Sequence, residues 1–208
     1  MSRPLIPLIF AMAATVVASN ILVQFVLGDW LTWGAFSYPL AFFVNDITNR
    51  VYGARAARKV VIAGFLTGLA CSLVGTQIEG AFGPLVSFRV AMASATAFFV
   101  SQMLDVFLFD RLRNAAWWRA PAISTLLGST LDTLLFFTIA FSGWLTVLHP
   151  ATDVAWANEA VPLLGTGPAL PLWMSLAAAD WGVKIVLAIV ALLPFRLIVR
   201  RMTASVVS

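Results

Sequence analysis

Apolar runs long enough to cross a lipid bilayer recur along the whole chain, and they leave few folds open. Val60–Val74 and Ile185–Leu193 are typical. A helix needs about 20 residues, at about 1.5 Å rise each, to span the hydrocarbon core. Six segments meet or approach that length: about 5–27, 35–52, 60–78, 89–109, 121–148 and 171–195. Only 11% of the 208 residues are charged. A soluble domain of this size carries about 25%, so too few remain to coat a water-facing surface. The expected fold class is therefore all-α integral membrane. A single polytopic domain over 1–208, with six transmembrane helices, leaves no room for a separate soluble unit. The run from Leu5 to Leu27 holds Asn20 and Gln24 and is long enough to span, so it reads as a retained first helix rather than a signal peptide.

Charge sets the expected topology. Ten of the 13 basic residues are Arg3, Arg55, Arg58, Lys59, Arg111, Arg113, Arg119, Arg196, Arg200 and Arg201. With six spans, all of them fall on one side. Asp29, Glu79, His149, Asp153 and Glu159 fall on the other. Five or seven spans would split the basic clusters, so both termini are predicted to be cytoplasmic. The net charge of +4 thus reads as orientation beside anionic lipid, with no nucleic-acid partner. The longest outer loop, about 149–170, carries Pro150, Pro162, Gly165, Gly167 and Pro168, which disfavours a regular helix. Trp30, Trp33, Trp117 and Trp118 suit the membrane interfaces.

Polar residues inside lipid are the candidates for function, because each is costly there without partners. The 35–52 segment is the weakest by hydropathy and the richest in such groups. Phe42, Asn45 and Asn49 share one helical face; Asp46 and Arg50 follow at i,i+4, with the spacing of an internal ion pair. Pro39 frees a carbonyl one turn earlier. The first span offers Asn20 and Gln24, the fourth Gln102 and Asp105, the fifth Asp132 and the sixth Asp180 and Lys184. Asp132 and Asp180 fall near the bilayer midplane. Each candidate has a structural alternative, a helix-to-helix hydrogen bond or a salt bridge. Glu79 and Arg89 flank an outer turn and could pair there. Small residues on the third and fifth spans would permit a homodimer.

Other chemistries lack their residues. With one histidine, His149, and one cysteine, Cys71, neither a zinc cluster nor a Ser-His-Asp triad can be assembled. There is no phosphate-binding Gly-Lys-Ser/Thr loop for ATP hydrolysis and no arginine series for voltage sensing. No cofactor and no enzymatic reaction are expected, although an aspartate pair could in principle act as acid and base.

Four blocks converge on a family. They are Thr32–Pro39 through Asp46-Ile47-Thr48 to Arg58; Arg89–Ser94 to Gln102-Met-Leu-Asp105; Ser124–Thr133; and Asp180-Trp-Gly-Val-Lys184 to Pro194. In order, they resemble the bacterial queuosine precursor transporters, within the vitamin uptake transporter group. Ser129 and Trp181 depart from the pattern, where Asn and Tyr are expected, and the 149–170 loop is longer. The resemblance implies import of 7-deazaguanines, preQ0 and preQ1, across the bacterial inner (cytoplasmic) membrane. It also implies a six-helix fold like the substrate-binding subunits of energy-coupling-factor transporters. A binding subunit that needs a separate energising partner is the alternative. Chemistry agrees: a flat deazaguanine presents N–H donors to a carboxylate, a carbonyl to an amide or cation, and ring faces to aromatics. Asn20, Gln24, Phe42, Asn45, Asp46, Arg50, Gln102, Asp105, Asp132, Asp180 and Lys184 supply those types. Asp132 or Asp180 is favoured for the guanine edge.

Overall fold

A computed structural model describes residues 5–80, 83–148 and 150–204; Arg3 and His149 lie outside the described residues. The elements are α1 (Ile6–Leu22), a hairpin of β1 (Val26–Leu27) and β2 (Leu31–Thr32), α2 (Gly34–Ser37), α3 (Pro39–Tyr52) and α4 (Ala54–Gly75). A second hairpin, β3 (Glu79–Gly80) and β4 (Gly83–Pro84), leads to α5 (Phe88–Leu112) and α6 (Arg119–Phe141). After short 3-10 turns, β5 (Ala160–Pro162) pairs antiparallel with β6 (Ala169–Pro171), and α7 (Leu172–Ala204) closes the chain.

Four of these helices are long and apolar enough to cross a bilayer: Ala54–Gly75, Phe88–Leu112, Arg119–Phe141 and Leu172–Thr203. Their outward faces stay apolar, as at Leu66, Leu134, Ile189 and Leu193. This is the pattern of a multi-pass α-helical membrane protein, with lipid covering the exposed apolar side chains. α1 is apolar but has only 17 residues. α3 has 14 and is polar.

The centre of the bundle is α3. It packs against α1, α4, α5, α6 and α7, and Phe42, Asn45, Asp46, Ile47, Thr48 and Asn49 are all buried. Its low hydropathy follows from that place. A helix surrounded by other helices can carry polar groups that a lipid-facing one cannot. Pro39 starts α3 with a ring that fits the first turn, and α2 precedes it across the single residue Tyr38. Gly53 ends it at φ +88° and ψ 167°, a conformation open essentially to glycine, and α4 begins at the next residue.

Several boundaries move from their sequence expectation. The first helix stops at Leu22, not 27, because the chain turns at Gly28 (φ +65°) and Trp33 N–H bonds back to the Phe25 carbonyl. α4 begins six residues early and takes Arg55, Arg58 and Lys59 into its first turns. The fifth span, α6, ends at Phe141, with Gly143–Leu148 as 3-10 turns. Two side chains satisfy its terminal carbonyls. Arg89 donates to Ile139 (2.6 Å) and Ser142 (2.5 Å), and Asn158 donates to Phe141 (2.9 Å). Arg89 therefore caps α6, and no Glu79–Arg89 ion pair forms among the described residues. α7 runs past Pro194 to Ala204, about 50 Å at 1.5 Å per residue, and so carries Arg196, Arg200 and Arg201 beyond a core of about 30 Å.

Three glycines of α4 and α6 pack against other helices of the same chain. Gly64 lies against Met12, Gly68 against Val16 and Gly128 against Phe42. A Cβ at 128 would stand 2.8 Å from the Phe42 ring and 3.3 Å from the Ser101 carbonyl. Gly128→Ala is expected to destabilise the fold by about 1–3 kcal/mol through overpacking, read as a lower melting temperature in detergent.

Candidate functional site

Two polar clusters lie in the bundle. The first sits where α3 meets α5 and α6. Asn45, Gln102 and Asp105 are fully buried and Asp46 nearly so. Asn45 Nδ2 donates to Asp105 Oδ2 (2.9 Å) and to the Gln102 carbonyl (3.4 Å). Asp46 accepts from the hydroxyls of Thr125 (2.9 Å) and Ser124 (3.4 Å) on α6, and its carboxyl lies beside that of Asp105. The Asp105 carboxyl also faces the Ser124 hydroxyl and the Asp46 carboxyl. Among the described residues Asn45 Oδ1, Gln102 Oε1, Gln102 Nε2 and Asp105 Oδ1 are buried with no hydrogen-bond partner. Native interiors leave few such atoms, because each costs about 1–3 kcal/mol. These are three acceptors and one donor, carried on facing turns of α3 and α5.

A cavity of about 200 Å³ opens beside this cluster, between α3, α6 and α7. Its walls are apolar, including Phe36, Phe43, Leu187 and Phe195. Asp46 and Thr125 supply its polar side chains. Phe42 is buried one turn before Asp46 and is held by the space that Gly128 leaves.

The second cluster joins α6 to α7. Lys184 Nζ lies 2.8 Å from Asp132 Oδ2, 2.6 Å from Asp180 Oδ2 and 3.0 Å from Thr133 Oγ1. Asp132 Oδ1 also accepts from the Tyr38 hydroxyl (3.1 Å) and Ser101 (3.3 Å), and Thr133 donates to Asp180 (2.9 Å). The Lys184 ammonium also stands over the Tyr38 ring, 5.3 Å from its centre. The i,i+4 pair Asp180–Lys184 forms as its spacing suggests, with Asp132 as a further anchor.

The other candidates lie outside both clusters. Asp46 and Arg50 do not pair: no ion pair between them is found among the described residues. Arg50 instead crosses the Phe109 ring and donates to the carbonyls of Arg113 (2.8 Å) and Trp117 (3.4 Å), just past the end of α5. Arg113 returns the contact, donating to the Asn49 carbonyl and to Asn49 Oδ1. The two arginines thus clasp the neighbouring ends of α3 and α5. Asn20 donates to its own helix at Val16 and accepts from Ser72 on α4, a helix-packing bond. Gln24 lies beyond the end of α1, exposed and away from both clusters. Of the two family departures, one is buried and one is exposed. Ser129 donates to the Thr125 carbonyl of its own helix, and Trp181 is half exposed and bonds Thr130.

The comparisons agree with this architecture. A family model described as "Putative vitamin uptake transporter" matches residues 32–199, which take in α2 to α7 and both clusters. The chain is 37% identical to the "Queuosine precursor transporter" of Escherichia coli (strain K12) over 194 residues, 86% of this chain and 78% of that protein. It is 40% identical to a "Probable queuosine precursor transporter" of Haemophilus influenzae over 53% of this chain and 52% of that protein. A protein of Bacillus subtilis (strain 168) with the same description is 33% identical over 66% of this chain and 67% of its own. No solved structure matches significantly. With 168 consecutive residues under the family model and a relative of this identity covered over most of its length, the chain belongs to the vitamin uptake transporter family.

Proposed function

We propose that this chain imports queuosine precursors, 7-deazaguanines such as preQ0 and preQ1, into the cytoplasm. The relatives' descriptions support the substrate class. The observation that carries the reading to this chain is the unpartnered set on Asn45, Gln102 and Asp105. A deazaguanine offers N–H donors at its pyrimidine edge, its amino group and its pyrrole, and one carbonyl acceptor. Asp105 Oδ1, Asn45 Oδ1 and Gln102 Oε1 are the matching acceptors, and Gln102 Nε2 is the matching donor. Asp132 and Asp180, favoured from sequence for the guanine edge, are already held by Lys184 and hydroxyls. In this reading Asp105 takes that role. Asp46, at the cavity, is the next carboxylate a ligand meets on the way in.

The membrane arrangement goes with the function. α1, at about 26 Å, and the α2–α3 unit Gly34–Tyr52, at about 28 Å, join the four long helices as the first and second of six spans. All six make one polytopic domain, of the kind expected for substrate-binding subunits of energy-coupling-factor transporters. The basic clusters then put both termini in the cytoplasm of a bacterium, with the domain in its inner membrane. The protein binds and moves its ligand without altering it.

Cells that cannot make the precursor should regain queuosine in tRNA when this chain is expressed and preQ0 or preQ1 is supplied. Failure with the protein inserted and stable would remove the substrate assignment.

A further inference from the structure

We propose that the Asp132–Lys184–Asp180 cluster is a proton site that couples import to the proton gradient, an inference that rests on the transport reading above. The cluster brings two carboxyl groups and one ammonium together inside the bundle. A structural salt bridge needs one acid for one base. Here a second acid is present, so the group is one proton short of neutrality and can take up one proton and return it. Intramembrane carboxyl groups of this kind are the usual carriers in proton relays.

The surroundings keep the exchange within the cluster. From the α2–α3 junction the titratable group facing it is Tyr38. From α5 it meets the Ser101 hydroxyl, and from α6 the Thr133 hydroxyl. The charges acting on Lys184 and on Tyr38 are those of Asp132 and Asp180. Asp46 lies on α3 two turns beyond Tyr38, about 12 Å along the axis at 1.5 Å per residue, and reaches the other cluster instead.

Access is unequal. The side chains of Asp132 and Lys184 are 4% and 5% exposed, while that of Asp180 is 15% exposed. On α7, Asp180 lies eight residues from Leu172 and Lys184 twelve. Asp180 is thus the entry. A proton from external water forms an O–H bond at its carboxyl, and Lys184 is left to Asp132 alone. When that bond breaks toward the cytoplasm, Lys184 again holds both. Nothing is oxidised or reduced.

This change reaches the ligand site by two contacts. Lys184 shares its helical face with Leu187, Ala188 and Ala191, which wall the cavity, so weakening the α6–α7 tie acts on that wall. Ser101, bound to Asp132, immediately precedes Gln102.

The test uses the purified full chain in vesicles with the membrane potential clamped and labelled preQ0, which is uncharged. Two rates are read: counterflow at equal pH, and uptake with the outside made acid. Wild type should show both, with accumulation of up to about tenfold per pH unit at one proton per ligand. Asp180→Asn should keep counterflow and lose the response to acid. Counterflow without any acid response in wild type would overturn the coupling and leave the substrate reading standing. An acid response retained in Asp180→Asn would place the proton elsewhere and also overturn it. Absence of counterflow in wild type would sink the substrate reading, and this inference with it.

Discussion

Gln102→Leu should abolish precursor uptake while making the protein more stable. The usual loss-of-function change in a packed interior does the reverse. Gln102 is fully buried, and neither atom of its amide has a partner among the described residues. An amide buried without partners carries a penalty of about 1–3 kcal/mol. Leucine has a similar length, adds no polar atom and fills the same space. A gain of about 1 kcal/mol in the unliganded state is expected, seen as a higher melting temperature in detergent. Uptake should fall at least about 100-fold, because the bound base would lose a donor for its carbonyl and an acceptor for an N–H, about 3 kcal/mol together. A variant that is less stable yet still transports would mean that Gln102 only supports packing.

Lys184→Met should have the largest effect on folding. It leaves Asp132 and Asp180 deep in the bundle with no cation between them. Removing one partner of a buried ion group costs about 3–5 kcal/mol, because the remaining charge is stranded. That is a large share of a total stability of about 5–15 kcal/mol. Yield and melting temperature should drop sharply. The triple variant with Asp132→Asn and Asp180→Asn should recover most of the loss, since no charge then remains to be stranded. If Lys184→Met alone folds normally, the cluster does not hold α6 to α7 as described.

The 35–52 segment shows how far sequence carries and where it stops. Its polar content marks it from composition alone as a helix that cannot face lipid, and contact with α1 and all four long helices is the physical reason. Its i,i+4 acid and base cannot say whether they meet. Arg50 instead turns to α5, whose end lies 63 residues further along the chain. Spacing reports faces of one helix, and that choice is made between helices. The same limit explains the carboxylates. Asp132 and Asp180 stand out from sequence because they fall in the middle of their apolar runs, yet their hydrogen bonds are filled. Asp105 is no more conspicuous than Gln102 beside it, yet its Oδ1 is open. Satisfaction depends on Tyr38, Ser101 and Thr133 arriving from the α2–α3 junction, α5 and α6. Arg113 reads only as an orientation signal, although an arginine three residues after Asp110 at a helix end hints at a capping role. Gln24 falls off the first helix because hydropathy continues past Leu22 while the helix does not. The family blocks succeed because they sample α3, α5, α6 and α7 at once, the elements that build both clusters.

The most direct measurement is equilibrium binding of preQ0, preQ1 and guanine to the purified chain, in parallel with Asp105→Leu. Saturable binding of both deazaguanines, lost in the variant while its fold is kept, is the result expected if the open atoms of α3 and α5 form the site. Undiminished binding by Asp105→Leu, or no binding of either deazaguanine by wild type, would contradict it.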